Sequence, residues 1–173
     1  MKLDKVANSH NDEFYTPLYA IKPILEIITP SVKVWCPFDT EQSLFVKELS
    51  KTNEVVYSSL LNGQNFFEIE VPENTKYIIS NPPYSLKTEV LERLFKFDIP
   101  FAMLLGIVGL FESKKRFEMF RDNEFEIMYF NKRVAYFKDY NEQKPSLNPP
   151  FSSVYICHNM LPKKIMFKEI DKK

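Results

Sequence analysis

Apolar and polar positions follow two alternating rhythms along this chain. Short, nearly unbroken apolar or β-branched runs occur at "VKVWCPF" (32–38), "EVVYSS" (54–59), "KYIIS" (76–80), "FAMLLG" (101–106), "FEIMYF" (125–130), "SSVYICH" (152–158) and "KIMFKEI" (164–170). Runs of that length and composition read as strands. Four other segments space their apolar residues three and four apart: "TPLYAIKPILEII" (16–28), "TEQSLFVKELSK" (40–51), "LKTEVLERLFKF" (86–97) and "KKRFEMFRD" (114–122). That spacing lays one apolar stripe along a helix. Thr16 is the candidate cap of the first helix, Pro17 sits in its first turn, and Pro23 is expected to kink or restart it. Thr40 is the candidate cap of the second, with Leu44, Phe45 and Leu49 facing inward. Strand and helix alternate, and the last two strands follow without a helix between them. The pattern predicts a single α/β domain over residues 1–173, its sheet mostly parallel with an antiparallel edge hairpin, and residues 1–12 polar and mobile.

Ligands of such sheets bind beyond the carboxyl ends of the strands, which directs attention to 36–43, 58–67, 81–85 and 106–113. The third of these carries the strongest chemistry. In "YIISNPPYS" (77–85) a buried-looking strand stops at Asn81, Pro82, Pro83 and Tyr84. Two prolines cannot join a ladder, so they end the strand and hold the backbone stiff and extended. One amide, the Pro82 carbonyl and one aromatic face are thereby locked at fixed offsets. Asn81 and Pro82 can both accept from an exocyclic amine while Tyr84 stacks on the attached ring. Two acceptors draw that amine toward a tetrahedral shape and expose its lone pair, so no general base of unusual pKa is needed.

An Asn-Pro-Pro-Tyr run after a strand resembles the catalytic loop of S-adenosylmethionine-dependent amino-group methyltransferases, above all the phage-type adenine-specific DNA enzymes. Other stretches are similar in the same order. "EFYTP" (13–17), with Tyr15, Thr16 and Pro17, resembles the segment lying against the cofactor's methionine end. "CPF" (36–38), with Cys36, Pro37 and Phe38, resembles the opening of the cofactor loop, which Asp39 and Thr40 continue. "NFF" (65–67), with Asn65 and Phe66, resembles the segment that meets the cofactor's adenine, and "NPPFSSVYIC" (148–157) a late strand of these proteins. The resemblance implies a Rossmann-like methyltransferase fold, S-adenosylmethionine as cofactor, and methyl transfer to adenine in DNA. The expected catalytic residues are Asn81, Pro82, Pro83 and Tyr84.

This chain also departs from that pattern. It has three glycines in all, and none lies between Pro37 and Ser43, where relatives have a glycine-rich turn. Cys36 stands where relatives have an acidic residue, leaving Asp39 or Glu41 to supply a carboxylate. The second strand ends in Ser58 and Ser59 rather than an acid. These changes motivate an alternative: an inactive methyltransferase fold that serves a phage as a binding or anti-defence factor. A further alternative is an RNA or protein-glutamine amino methyltransferase, since the same tetrapeptide serves those acceptors in the wider family.

Charge refines the partner. Lys and Arg total 23, Asp and Glu 23, for a formal net charge of zero, so the whole molecule is no electrostatic trap for nucleic acid. DNA is expected to be held weakly by the chain alone, with single strands, a protein partner or a homodimer compensating. A local patch at Lys114, Lys115 and Arg116 is a candidate phosphate contact, although a solvated helix face explains it as well. Phe151 and Ser152, after a second "NPPF" with no buried strand before it, are expected to order near the substrate. Cys36 and Cys157 are the only cysteines and have no His cluster beside them, so no metal is expected. No stretch reads as a signal peptide or membrane span, and a cytoplasmic location is expected.

Overall fold

A computed structural model describes residues 15–145 and 151–172. The segment 1–12, positions 13–14 of the "EFYTP" stretch, and 148–150 of the second "NPPF" lie outside those residues. Seven strands form one sheet: β1 (Lys33–Cys36), β2 (Glu54–Tyr57), β3 (Thr75–Ser80), β4 (Phe101–Gly106), β5 (Glu126–Phe130), β6 (Ser153–His158) and β7 (Ile165–Lys168). The helices are α1 (Leu18–Leu25), α2 (Leu44–Leu49), α3 (Lys87–Phe97) and α4 (Lys114–Asp122).

The strand order is β2-β1-β3-β4-β6-β5-β7. β1 runs parallel to β2 and β3, and β3 parallel to β4. This is the mostly parallel α/β sheet that the apolar rhythm predicts. The closing strands are arranged differently from an edge hairpin. β6 lies inside the sheet, antiparallel to both β4 and β5, whereas β7 pairs in parallel with β5 at the edge. Burial gives the reason: all six residues of β6 are buried, while β7 alternates between exposed and half-buried positions. A continuous apolar run belongs in the middle of a sheet covered on both faces, and an alternating one at its margin.

Successive residues along each strand point to opposite faces, so the sheet divides the core in two. Val34, Cys36, Ile79, Ala102, Leu104 and Tyr155 pack with Ile21 and Ile24 of α1 and Phe45 and Leu49 of α2. Trp35, Ile78, Met103, Leu105 and Ile156 pack with Val90, Leu91 and Leu94 of α3 and Phe120 of α4. Both cysteines are buried and free, and burial pushes both thiols well up.

Two expected caps are reassigned. Thr40 does not cap α2; Ser43 does, its Oγ accepting from the Phe45 N–H at 3.2 Å. Thr16 does not cap α1 either. Pro17 occupies that position without a side-chain bond, because the Thr16 hydroxyl is engaged by Asn81. Pro23 lies within α1, which runs on to Leu25 rather than restarting.

Candidate active site

The site assembles from the carboxyl ends of β1, β2 and β3, and a tether joins each loop to the next. After β1, the Asp39 N–H donates to the Ser58 carbonyl at 3.0 Å and the Ser58 N–H to the Cys36 carbonyl at 3.1 Å. These bonds prolong the β1–β2 pairing past the strand ends. Ser58 Oγ also accepts from Trp35 Nε1 at 3.0 Å, so it is held inside the sheet. Asp39 itself is 6% exposed. Its carboxylate accepts from Ser43 Oγ and from Ser80 Oγ, both at 2.5 Å, and Ser80 Oγ accepts in turn from the Phe38 N–H at 3.2 Å. Burial raises this carboxyl to about 6 even though both hydroxyls favour its charged form.

A buried carboxylate thus ties together the loop that lacks glycine. It also ties that loop to Ser80, the residue immediately before Asn81. The Asp39 oxygens are therefore committed to protein hydroxyls. Cys36, expected in the cofactor loop, instead packs its side chain into the core between sheet and helices. Thr40 contributes its carbonyl to the Ser43 N–H at 3.0 Å.

Asn81 is half-buried, Pro82 buried, and Pro83 and Tyr84 half-buried. Asn81 Nδ2 donates to Thr16 Oγ1 at 3.2 Å, so the Asn-Pro-Pro-Tyr loop and the Tyr15–Pro17 segment come together as the motifs suggest. Tyr84 opens a short 3-10 turn, Tyr84–Leu86. Its hydroxyl lies 2.9 Å from that of Tyr136, and its ring meets Phe151 edge-on with centroids 5.6 Å apart. Burial, and then the Tyr136 hydroxyl beside it, push the Tyr84 phenol well above its ordinary value.

Beside Pro83 opens a cleft of about 320 Å³ including the space at its mouth, lined among others by Pro37, Phe38, Asn65, Phe66 and Leu86. Asn65 Oδ1 accepts from the Phe67 N–H at 3.0 Å, which folds the 65–67 turn. Phe66 is 2% exposed and packs on Phe38, with centroids 4.9 Å apart, so it joins the core to the cleft wall. Apolar walls with an amide at the rim suit a flat purine ring. Among the described residues no carboxylate lines this cleft.

The segment 131–145 packs on the other side, against Tyr15, Tyr19 and Tyr84. Tyr15 and Phe137 exchange two backbone bonds, at 3.2 and 2.8 Å. The Tyr140 ring packs on Tyr15 with centroids 4.3 Å apart, and its hydroxyl lies near the Ser43 side chain, the Thr16 backbone and Asp39. Burial first, then the Asp39 charge, raise the Tyr140 phenol. Tyr136, Tyr140, Ser43 and Ser80 carry no motif. The available signal was an unusual density of tyrosine around "RVAYFKDY" (133–140).

The basic residues divide. Arg116 donates to the Gly109 carbonyl at 2.7 Å, the Leu110 carbonyl at 2.8 Å and Thr88 Oγ1 at 2.9 Å. Its guanidinium fastens the loop after β4 to the first turn of α3. Lys115 pairs with Glu92 at 3.2 Å on the surface, and Lys114 is exposed. Phe151 reaches the site. Its ring lies where a Cβ on Gly106 would come within 3.1 Å, so a larger residue there would press the ring outward by a few tenths of an ångström. Ser152 is exposed, and its carbonyl accepts from the Ile107 N–H at 2.9 Å. Among the described residues no helix is long and apolar enough to cross a membrane.

No protein-family model matches the chain, and no curated protein sequence does. Among solved structures it is similar to the 23S rRNA methyltransferase ErmE, with a TM-score of 0.57 and 15% identity over 88% of this chain and 71% of that one. It is similar also to a modification subunit of a putative type I restriction enzyme from Vibrio vulnificus YJ016, with a TM-score of 0.58 and 12% identity over 88% of this chain. It spans about half of that subunit, 46%. The sheet is thus one that methyltransferases share.

Proposed function

We propose that this chain transfers a methyl group from S-adenosylmethionine to the exocyclic amine of adenine in DNA. One observation carries the reading. Asn81 through Tyr84 leave the carboxyl end of β3 tied on one side to Thr16 and, through Ser80, to the loop after β1, with an apolar-walled cleft beside Pro83. Both structural neighbours are described as methyltransferases or modification subunits, which supports the same reading.

When bound, S-adenosylmethionine supplies an electrophilic methyl group. Phe38, Phe66, Pro83 and Asn65 are the residues that would hold the adenine end of that cofactor. The protein's task is to present the acceptor. The Asn81 side-chain oxygen and the Pro82 carbonyl take the two amine protons as hydrogen bonds and localise the nitrogen lone pair. Pro83 fixes the offset between those acceptors and the Tyr84 ring, which holds the base plane. Orientation of this kind can supply much of a barrier reduction without a base of shifted pKa.

Replacing Asn81 by Ala tests the mechanism: transfer should fall by at least about a hundredfold, as for loss of one oxyanion-type contact, with the unfolding midpoint nearly unchanged. Unaltered turnover in Asn81→Ala removes this mechanism. Mass spectrometry of nucleosides and peptides after reaction identifies the acceptor, and methylated RNA or glutamine in place of DNA adenine would redirect the substrate assignment.

A second reading is favoured by Tyr140 and by the loop without glycine: a methyltransferase fold that binds a partner and transfers nothing. Calorimetric titration with S-adenosylmethionine separates the two, because this reading requires neither heat nor thermal stabilisation.

A further inference from the structure

Tyr136 is fully buried, yet its hydroxyl is the link between the Asn-Pro-Pro-Tyr loop and the far side of the sheet. It lies 2.9 Å from the Tyr84 hydroxyl and 2.7 Å from Ser153 Oγ. Ser153, 2% exposed, is the first residue of β6, and β6 is hydrogen-bonded on both edges. The backbone carrying Tyr136 is held as firmly. The Ala135 N–H donates to the Tyr19 hydroxyl of α1 at 2.8 Å, and Val134 is buried in the core.

Local structure does little to aim Tyr84. The 3-10 turn it opens has Pro83 in the capping position and no side-chain cap. Distant groups hold the ring instead, among them the Tyr136 hydroxyl at its tip and the Phe151 ring set edge-on to it. Phe151 is itself seated against Gly106. A buried hydroxyl left without a partner is costly, so the chain of three hydroxyls permits few orientations of the phenol. Burial raises the Tyr136 phenol as it does that of Tyr84, which keeps both neutral and both able to donate.

We infer that Tyr136 is a positioning residue: with Ser153 it anchors the tip of Tyr84 and holds that ring at the angle on which the acceptor base stacks. The inference rests on the methyl-transfer reading above. It differs from a plain core role for Tyr136, in which the hydroxyl would merely satisfy itself and the base would be indifferent to its loss.

A double-mutant cycle of Tyr84→Phe and Tyr136→Phe distinguishes the two, read as kcat/KM for an adenine-containing single-stranded oligonucleotide and, separately, as Kd for S-adenosylmethionine. Each single change removes one oxygen and leaves the ring. Each is expected to lower kcat/KM for the oligonucleotide about tenfold, near the upper worth of a neutral hydrogen bond. The pair together should lose no more than about twice what either loses alone, because the two act through one contact. Cofactor affinity should stay within twofold. Ser153→Ala, which leaves the Tyr84–Tyr136 contact in place, should give a smaller loss in the same direction. Multiplying losses in the double variant, an unchanged kcat/KM in Tyr136→Phe, or a weakened cofactor Kd overturns the positioning role and leaves the methyl-transfer reading standing. No transfer by the unaltered protein at saturating cofactor overturns both.

Discussion

Asp39 combines two properties that rarely coexist: it is buried, and it joins two functional loops. Its oxygens accept from Ser43 and Ser80, and the titratable groups facing it besides these include the Tyr140 and Tyr155 hydroxyls and the Cys36 thiol. Folding lifts this carboxyl from its ordinary 3.8 to about 6, so the native state holds the proton more tightly than the unfolded chain does. Stability must therefore rise as pH falls through about 6, and the gain is complete below 3.8, where both states are protonated. The full difference is at most about 3 kcal/mol. Asp39→Asn removes that dependence. Denaturant unfolding between pH 4 and 8 should show the unaltered protein gaining on the variant toward acid. Parallel curves would mean the carboxyl titrates normally. The same substitution loosens the Ser80 tether, so activity should fall at pH 7.5 even where stability does not.

At the level of elements, continuous apolar runs between amphipathic segments made the sheet legible, because its central strands are buried on both faces and each helix on one. The Asn-Pro-Pro-Tyr loop was legible for a similar reason: two prolines dictate backbone shape without help from elsewhere. The caps of α1 and α2 were not. Thr16 and Thr40 satisfy local rules, but the Asn81 amide engages the first hydroxyl and a neighbouring serine takes the second capping role. The position of β6 could have been read from its unbroken burial pattern, which no edge strand needs. Nothing local marks 131–145, whose order comes from Tyr15, Tyr19 and Tyr84, all far away in sequence. Within that segment Tyr140 sits where the methionine end of a cofactor is expected, against Tyr15, Thr16 and Ser43. If the two compete, displacing the ring reduces the observed affinity by the population of the open arrangement. Tyr140→Ala should then bind S-adenosylmethionine about five- to tenfold more tightly by calorimetry, an ordering cost of roughly one side chain. Weaker binding would make Tyr140 a cofactor contact rather than an occupant.

For the whole molecule, charge and size decide how a nucleic acid could be held. Lys and Arg exactly offset Asp and Glu in number, and Arg116, the best-placed cation of the patch, spends its guanidinium on Gly109, Leu110 and Thr88. Lys114 remains exposed, while Lys115 shares its charge with Glu92. Two such lysines neutralise about two phosphates, and for a single strand each contributes roughly −0.7 to the slope of log K against log salt. A slope between about −1 and −2 is therefore expected, shallow beside the value near −10 of a repressor that grips duplex DNA. An adenine inside a duplex would also have to be unstacked and unpaired before its amine reached Asn81, at a cost of a few kcal/mol. With so little backbone attraction to offset that cost, single-stranded oligonucleotides should bind more tightly than the same sequence in duplex, by tenfold or more for each ~1.4 kcal/mol of it. Fluorescence anisotropy from 25 to 300 mM salt measures both quantities (concentrations of the assay, about a tenfold range). Duplex preference with a steep slope would instead require phosphate contacts beyond Lys114 and Lys115, and would move the search to other exposed cations of this chain, a second copy or a partner.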